Sequence, residues 1–199
     1  LSFPYVWNEN QTDAKLNLAG ARISASWTHF DGNPIEILYS VPNMNQCKNF
    51  HTLNNVQKPI GPKIRNLNHN FSYKDGIQNQ LKKWISIEFL ESISDFDSMP
   101  KSVNYNNPKD FTVNQRARAW LDINCAHCHG RGRPAESSGL FLEYEEKNQT
   151  AIGIFKTPVA AGRGSGGRKY NIVPRHPEKS IVEFRINSVD PGIMMPELS

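Results

Sequence analysis

Cysteine and histidine occur together in this chain at a spacing that supports covalent cofactor chemistry. Cys125-Ala126-His127-Cys128-His129 is a C-x-x-C-H motif. Two thiols at this spacing can add to the two vinyl groups of one haem, and the histidine that follows is then placed under the iron. We therefore interpret Cys125 and Cys128 as attachment positions for haem c and His129 as the proximal iron ligand.

Two other interpretations of these cysteines remain open. The C-x-x-C pair can be a redox dithiol, but such pairs usually open a helix after a strand, whereas here a helix is predicted before the motif. The pair can also be half of a structural zinc site, with Cys47 and His51 completing a Cys₃His set. Covalent haem is the interpretation that we favour.

A haem iron in an electron carrier usually takes a sixth ligand, and methionine opposite histidine raises the reduction potential. Met194 and Met195 lie in an irregular segment next to a proline. Core packing explains a methionine in a helical stripe more readily than one in such a loop. We favour Met195 over Met194 as the distal ligand because Met195 directly precedes Pro196.

A helix is predicted to lead the chain into the motif. Thr112 and Gln115 match a capping box at its start. One stripe of this helix then runs into Cys125, and its members are Val113, Ala117, Trp120, Leu121 and Asn124.

Earlier in the chain, alternating residues over 21–27 and a β-rich run over 35–41 flank the turn signal Asp31-Gly32-Asn33-Pro34. This pattern predicts a β-hairpin.

Composition excludes several classes of protein. The chain has 199 residues, 38% of them hydrophobic, with 13 Gly and 13 Pro, which indicates one domain or two small ones with many loops. No apolar run approaches the roughly 20 residues of a membrane span. The net charge of +4 does not require nucleic acid, and we expect none as a partner. Three cysteines exclude a framework of structural disulfides.

Several stretches resemble a family of bacterial dihaem c-type cytochromes whose haem-binding part is close to class I cytochrome c. The most specific stretch is Arg116–His129, continuing to Ser138-Gly139-Leu140. Shorter supporting stretches follow in the expected order along the chain: Val6–Asn8, Gln11–Ala14, Tyr39–Pro42, Asn45–Lys48, Ile60–Lys63, Arg65–Asn68, Asn79–Leu81, Ile172–Pro174, Ser180-Ile181, Asp190-Pro191 and Met195-Pro196.

This resemblance implies electron transfer by covalently bound haem rather than an enzymatic activity. It implies thioether bonds at Cys125 and Cys128, His129 as proximal ligand and Met195 as distal ligand. It also implies redox proteins as partners and an exported location, periplasmic or extracellular. The expected fold is mainly α, with a class I cytochrome c-like haem domain over residues 111–199 and long loops. Residues 1–110 are expected to form an N-terminal segment with the β-hairpin.

The first haem motif of the family is degenerate here. Residues 47–51 read Cys47-Lys48-Asn49-Phe50-His51, so Phe50 replaces the second thiol. We hypothesise that Cys47 and His51 hold a second haem through a single thioether. The alternative is a lost site in which Cys47 is a small buried hydrophobe.

The sixth ligand of this second haem has three candidates. Met99 precedes a proline, as Met195 does, and His69 and Met44 are the others. We favour Met99.

The chain also departs from the family at both ends. The family is longer at its N-terminus, so we expect this chain to be a C-terminal part of a larger chain or complex. Class I cytochromes follow the ligand methionine with a final helix, whereas only four residues follow Met195 here. We expect a trimmed chain, or another segment that covers this face.

Two further functions remain as alternatives. A haem peroxidase, or a cytochrome domain that feeds a dehydrogenase, needs a haem without a sixth ligand, and the Phe50 site is the candidate. The Cys₃His zinc module is the other. The glycine-rich segment 162–168 is interpreted as a solvated loop, or as a contact to a haem propionate through its arginines.

Overall fold

The computed structural model describes residues 2–197, and its regular structure consists of short elements. The strands are Tyr5–Trp7 (β1), Ala14–Leu16 (β2), Ala21–Thr28 (β3), Pro34–Val41 (β4), Thr52–Leu53 (β5), Val56–Gln57 (β6), Asn70–Tyr73 (β7) and Gly76–Asn79 (β8). The helices are Met44–Phe50 (α1), Ile64–Leu67 (α2), Gln80–Ser86 (α3), Val113–Asn124 (α4), Gln149–Ile152 (α5) and Ile181–Ile186 (α6). The 3₁₀ turns are Glu136–Ser138, Gly162–Ser165 and Pro177–Lys179.

The prediction of a mainly α, class I cytochrome c-like fold is wrong. Helices account for only 26% of the chain and strands for 19%, and the strands form four separate two-stranded sheets. Proline and glycine, which break helices, occur often along the sequence, and the helices are short. The longest described helix is α4, with 12 residues. The fold is an α/β mixture with long loops.

The predicted hairpin is confirmed as β3 and β4. The two strands pair antiparallel from Ala21 opposite Val41 to Thr28 opposite Pro34. Its turn is closed by His29 N–H, which donates to Asn33 O at 2.8 Å, and by the Asp31 carboxylate, which accepts from Asn33 N–H at 3.0 Å. An aspartate–glycine turn of this kind determines the register of the strands that it joins.

The capping box of α4 is confirmed, but the predicted stripe is not its buried face. Thr112 Oγ1 accepts from Gln115 N–H, and Gln115 Oε1 accepts from Thr112 N–H at 2.9 Å. Val113 is 73% exposed. The buried residues are instead Arg118, Ala119, Leu121 and Asp122. Periodicity assigns charged residues to solvent, whereas two charged side chains are buried here because they have partners.

The described chain divides into two compact units. The first unit comprises Cys128–Phe141 and the described residues of Leu1–Pro59 and Glu146–Ser199. The second unit comprises Ile60–His127 and Leu142–Glu145. Compactness does not show which segments fold independently, so the predicted division at residue 110 stays a prediction.

The second unit is built around α3 and α4. Its buried apolar side chains are Leu81, Ala119, Leu121, Ala126 and Leu142. Asn68, which is 2% exposed, donates from Nδ2 to Met99 O at 3.2 Å and accepts at Oδ1 from Asn79 at 2.9 Å. Asn79 in turn caps α3 by accepting from Leu81 N–H at 3.0 Å. Polar side chains therefore connect the elements of this unit.

The first unit buries little apolar surface. Among its described residues, the buried apolar side chains are Leu140, Ile152 and Ile181. Much of its order comes from loop hydrogen bonds. Ser180, for example, accepts from Val173 N–H at 2.9 Å and donates to His176 O at 3.1 Å.

Across residues 2–197, the structure contains no helix with the length and apolar character of a membrane span.

We expect Thr112→Ala to lower the free energy of unfolding by about 1 kcal/mol, because the variant loses the side-chain cap of α4. Urea unfolding measures this difference. The matched control is Thr157→Ala, which removes an exposed threonine outside the helices and should change stability by less than about 0.5 kcal/mol. Equal effects of the two variants would show that the cap contributes nothing.

Candidate haem site

Helix α4 ends at the first cysteine of the motif. Cys125 N–H and Ala126 N–H both donate to Leu121 O, at 2.9 and 3.1 Å, so the chain leaves the helix in a tight turn. Ala126 is 1% exposed and anchors this turn. Cys125 and His127 belong to the second unit, and Cys128 and His129 begin the next segment of the first unit.

The three cysteines form no disulfide and are half-buried. Burial raises the pKa of the Cys128 thiol, the negative charge of Glu197 raises it further, and Arg133 lowers it. A raised pKa decreases the thiolate fraction at neutral pH.

His129 is held by a side chain nine positions further along the chain. Its Nδ1 lies 3.2 Å from Ser138 Oγ. Ser138 Oγ donates to Ala135 O at 2.6 Å and accepts from Leu140 N–H at 3.2 Å. Ala135 N–H in turn donates to Cys128 O at 3.0 Å. The turn that carries Ser138 therefore closes back on the residue before His129.

The segment that carries Met194 and Met195 is anchored to α6 and to an arginine. Met195 N–H donates to Arg185 O at 3.0 Å, and Arg185 Nε donates to Ile193 O at 2.7 Å. Arg163 makes two 3.0 Å bonds to the Asp190 carboxylate at the start of the segment. Both methionines are half-buried. The backbone of this segment is thus held in place from both ends.

This C-terminal segment belongs to the same unit as the last two residues of the motif, Cys128 and His129. Glu197, two residues after Met195, is close enough to Cys128 for its charge to raise the pKa of the thiol. Met195, Cys128 and His129 therefore belong to one compact unit. The sequence pattern did not indicate Glu197 as a neighbour of Cys128.

Cys47 and His51 lie one helical turn apart at the end of α1. His51 ends the helix, and its N–H donates to Cys47 O at 2.9 Å. The helix begins with a capping box between Asn43 and Gln46. Side chains four positions apart lie on one face of a helix. The local backbone therefore places Cys47 and His51 one turn apart.

The loops that follow the two histidines contact each other. Asn54 N–H donates to Gly132 O at 2.7 Å, and these residues come three positions after His51 and His129. Gly132 has φ +69, a conformation that favours glycine, and a Cβ there would lie 2.0 Å from Asn54 Oδ1. The first unit therefore joins the Cys47–His51 segment directly to the loop after His129.

The three candidate sixth ligands for the Cys47–His51 site lie in different units. Met44 is on α1 with Cys47 in the first unit, and its N–H donates to Leu18 O at 3.1 Å. Met99 and His69 belong to the second unit. Met44 is thus the candidate that shares a unit with Cys47, and Met99 stays a prediction.

The Cys₃His zinc set is not assembled in residues 2–197. No group of three or more His, Cys, Asp and Glu side chains in this part of the chain is arranged to hold a metal ion.

The arginines of segment 162–168 have partners within the first unit. Arg163 binds Asp190, as described above. Arg168 Nε donates to Glu178 O at 2.9 Å, and its guanidinium stacks on Phe184 at 4.3 Å from the ring centroid. Gly166 has φ +54 and lies so close that a Cβ would be 2.5 Å from Phe184. Segment 162–168 therefore packs against Phe184 of α6, and its Arg163 binds Asp190 in the loop that leads to Met195.

No protein-family model, curated protein sequence or solved structure matches this chain. The candidate site therefore rests on the residues and contacts described here.

Sequence reasoning missed a buried carboxylate that anchors α4 one turn before Cys125. Asp122 is 2% exposed, and its Oδ1 accepts from Lys63 Nζ at 2.6 Å and from Tyr144 N–H at 3.0 Å. These contacts hold α4 against two other segments of the second unit. The signal in the sequence was weak, because an aspartate in a helix is usually solvated.

We expect Asp122→Asn to lower the free energy of unfolding by about 1–3 kcal/mol, because the buried carboxylate charge that pairs with Lys63 is lost. Denaturant unfolding measures the loss, and a double-mutant cycle with Lys63→Met isolates the pair.

The matched control is Asp75→Asn, which breaks the 2.5 Å contact of Lys83 with an aspartate whose side chain is 66% exposed. Exposed pairs contribute about 0–1 kcal/mol, so its effect should be small. A control effect as large as that of Asp122→Asn would contradict the role of burial.

Proposed function

We propose that this chain transfers electrons through a haem that is bound covalently by Cys125 and Cys128 and ligated by His129 and Met195. When bound, the haem supplies an iron that alternates between the ferric and ferrous states. The chain would hold the iron through His129 and Met195 and exclude water around it, and so would determine the potential. No substrate chemistry is required of the chain.

The observation that carries the proposal is the environment of His129 and Cys128 in the first unit. The imidazole Nδ1 lies 3.2 Å from Ser138 Oγ, so Nε2 is the ring nitrogen that would bind a metal. Iron-ligating histidines have this arrangement, because a hydrogen bond at one ring nitrogen orients the other toward the metal. The charge of Glu197, two residues after Met195, raises the pKa of the Cys128 thiol. His129 and Met195, the two proposed iron ligands, both belong to this unit.

The small apolar core of the first unit also supports a bound haem. Three apolar side chains are buried among its described residues, while other apolar groups such as Phe155 and Val159 are 59% and 67% exposed. A unit of this size normally buries more apolar surface. A porphyrin is a large apolar group, and packing against it would supply part of the missing core.

A second haem at Cys47 and His51 is part of the proposal. The thiol and the ring lie one turn apart on α1, so one thioether and one His–iron bond are compatible with the local backbone. The contact of Asn54 with Gly132 joins this segment to the loop after His129. Two haems in one chain would let it pass electrons internally as well as to a partner.

The proposal extends to partners and location. An electron carrier exchanges electrons with other redox proteins, and covalent haem attachment is typical of exported proteins. We therefore propose a periplasmic or extracellular location and redox proteins as partners.

We expect the purified protein to carry two covalent haems. Intact mass and a pyridine haemochrome spectrum count them, and the single-thioether site should give an asymmetric spectrum. Cys47→Ser should remove one haem and leave the other. Cys125→Ser combined with Cys128→Ser should remove the other haem, so that each variant is the control for its counterpart.

A colourless wild-type protein would refute electron transfer by haem. One haem that survives Cys47→Ser would leave Cys125–His129 as the redox site and make residues 47–51 a lost site.

We expect Met195→Ala to lower the reduction potential and to abolish the weak red absorption band of a methionine-ligated ferric haem, because a thioether ligand favours the ferrous state. Redox titration and visible spectroscopy measure both changes. Met194→Ala is the matched control and should preserve the band. Loss of the band in the Met194 variant alone would reverse the assignment of the ligand.

A further inference from the structure

Ser138 Oγ lies at the centre of three contacts in the first unit. It is 2.6 Å from Ala135 O, 3.2 Å from Leu140 N and 3.2 Å from His129 Nδ1. The residue is half-buried and ends the 3₁₀ turn Glu136–Ser138. Its hydroxyl is therefore the group in this turn that contacts the histidine of the motif.

Counting protons decides the direction of each bond. A serine hydroxyl has one proton and two lone pairs. The shortest contact, to Ala135 O, takes the proton, because a carbonyl oxygen can only accept. Leu140 N–H can only donate, so it takes one lone pair. The remaining lone pair faces His129, and Nδ1 must therefore carry a proton and donate it to Ser138 Oγ.

We infer that Ser138 is the positioning residue that selects the Nδ1–H tautomer of His129 and orients its ring, so that Nε2 presents its lone pair to the iron. This inference rests on the proposed haem function for its purpose, although the hydrogen bonds are properties of the chain. Ser138 touches neither the iron nor the porphyrin in this role, and it acts only through His129.

The turn that carries Ser138 is itself held from several sides. Ala135 N–H donates to Cys128 O at 3.0 Å, and Ser138 N–H donates to Ala135 O at 3.0 Å. Gly139 follows with φ +62, a conformation that glycine adopts without strain, and its N–H donates to Glu136 O at 2.9 Å. Leu140, 9% exposed, then anchors the chain in the small core. The hydroxyl is thus positioned by backbone bonds that do not involve the histidine.

A hydrogen bond from Nδ1–H makes the imidazole a stronger electron donor to a metal at Nε2. A stronger donor stabilises the ferric state more than the ferrous state. Loss of the Ser138 hydroxyl should therefore raise the reduction potential. It should also expose the Nδ1 proton to faster exchange with water.

The experiment compares three variants of the haem-loaded protein. Ser138→Ala removes the hydroxyl, Ser138→Thr retains one, and Ser137→Ala changes the neighbouring exposed serine. Redox titration gives the potential of the Cys125–His129 haem. Nuclear magnetic resonance of the ferrous protein, labelled with ¹⁵N-histidine, gives the shift and the exchange rate of the His129 Nδ1 proton.

We expect Ser138→Ala to favour reduction by up to about tenfold in the equilibrium constant, which corresponds to about 59 mV for one electron. The Nδ1 proton should exchange at least about fivefold faster, which corresponds to the loss of one net hydrogen bond of about 1 kcal/mol or more. Ser138→Thr should restore both values, and Ser137→Ala should leave both unchanged. A general loosening of the turn would not be reversed by threonine.

Wild-type potential and proton exchange in Ser138→Ala would overturn the inference, because another acceptor would then hold Nδ1. If Ser138→Ala fails to fold, protection of the Nδ1 proton in the unmodified protein and in Ser138→Thr decides: protection supports the inference, and rapid exchange in both refutes it.

A chain that carries no haem refutes the proposed function separately. In that case the ¹⁵N shifts of His129 in the metal-free protein report the tautomer directly. The Nδ1–H form there supports the role of Ser138, and the Nε2–H form overturns it.

Discussion

Hydrogen bonds from loops to polar side chains carry much of this structure, because each unit buries few apolar side chains. Three almost fully buried polar side chains show this: Asn68 and Asp122 in the second unit and Ser180 in the first. Each forms hydrogen bonds to a segment other than its own. A buried polar group stabilises only when it is paired, so such a framework has little tolerance for the loss of a partner. Loop geometry, rather than helix packing, therefore positions the candidate site.

The same constraint shapes the surroundings of His129 and Met195. Ser138 holds the imidazole through a turn that closes on Cys128. Arg185 holds the backbone of the C-terminal segment by accepting from Met195 N–H and donating to Ile193 O. Neither arrangement depends on a long helix. A redox centre assembled in this way would have its ligands fixed by a few directional bonds, and its potential would be sensitive to each of them.

Local features of the fold were predictable from the sequence. The β3–β4 hairpin follows from alternation and an aspartate–glycine turn, and the start of α4 follows from Thr112 and Gln115. The mainly α fold was wrong because it came from a resemblance concentrated in Arg116–His129, whereas proline and glycine elsewhere keep the helices short. The buried face of α4 was also wrong, because the burial of Arg118 and Asp122 depends on partners that periodicity cannot reveal.

The sequence by itself determined the chemistry available at the candidate site: two thiols and a histidine in C-x-x-C-H order, a second cysteine–histidine pair at 47 and 51, and methionines near the end. These are properties of covalent order. Only the tertiary structure decided that Ser138 holds His129, that Asn54 contacts Gly132 and that Met195 and Cys128 belong to one compact unit. These relations depend on how turns and loops fold back on distant segments, and a short-range sequence pattern does not encode such contacts.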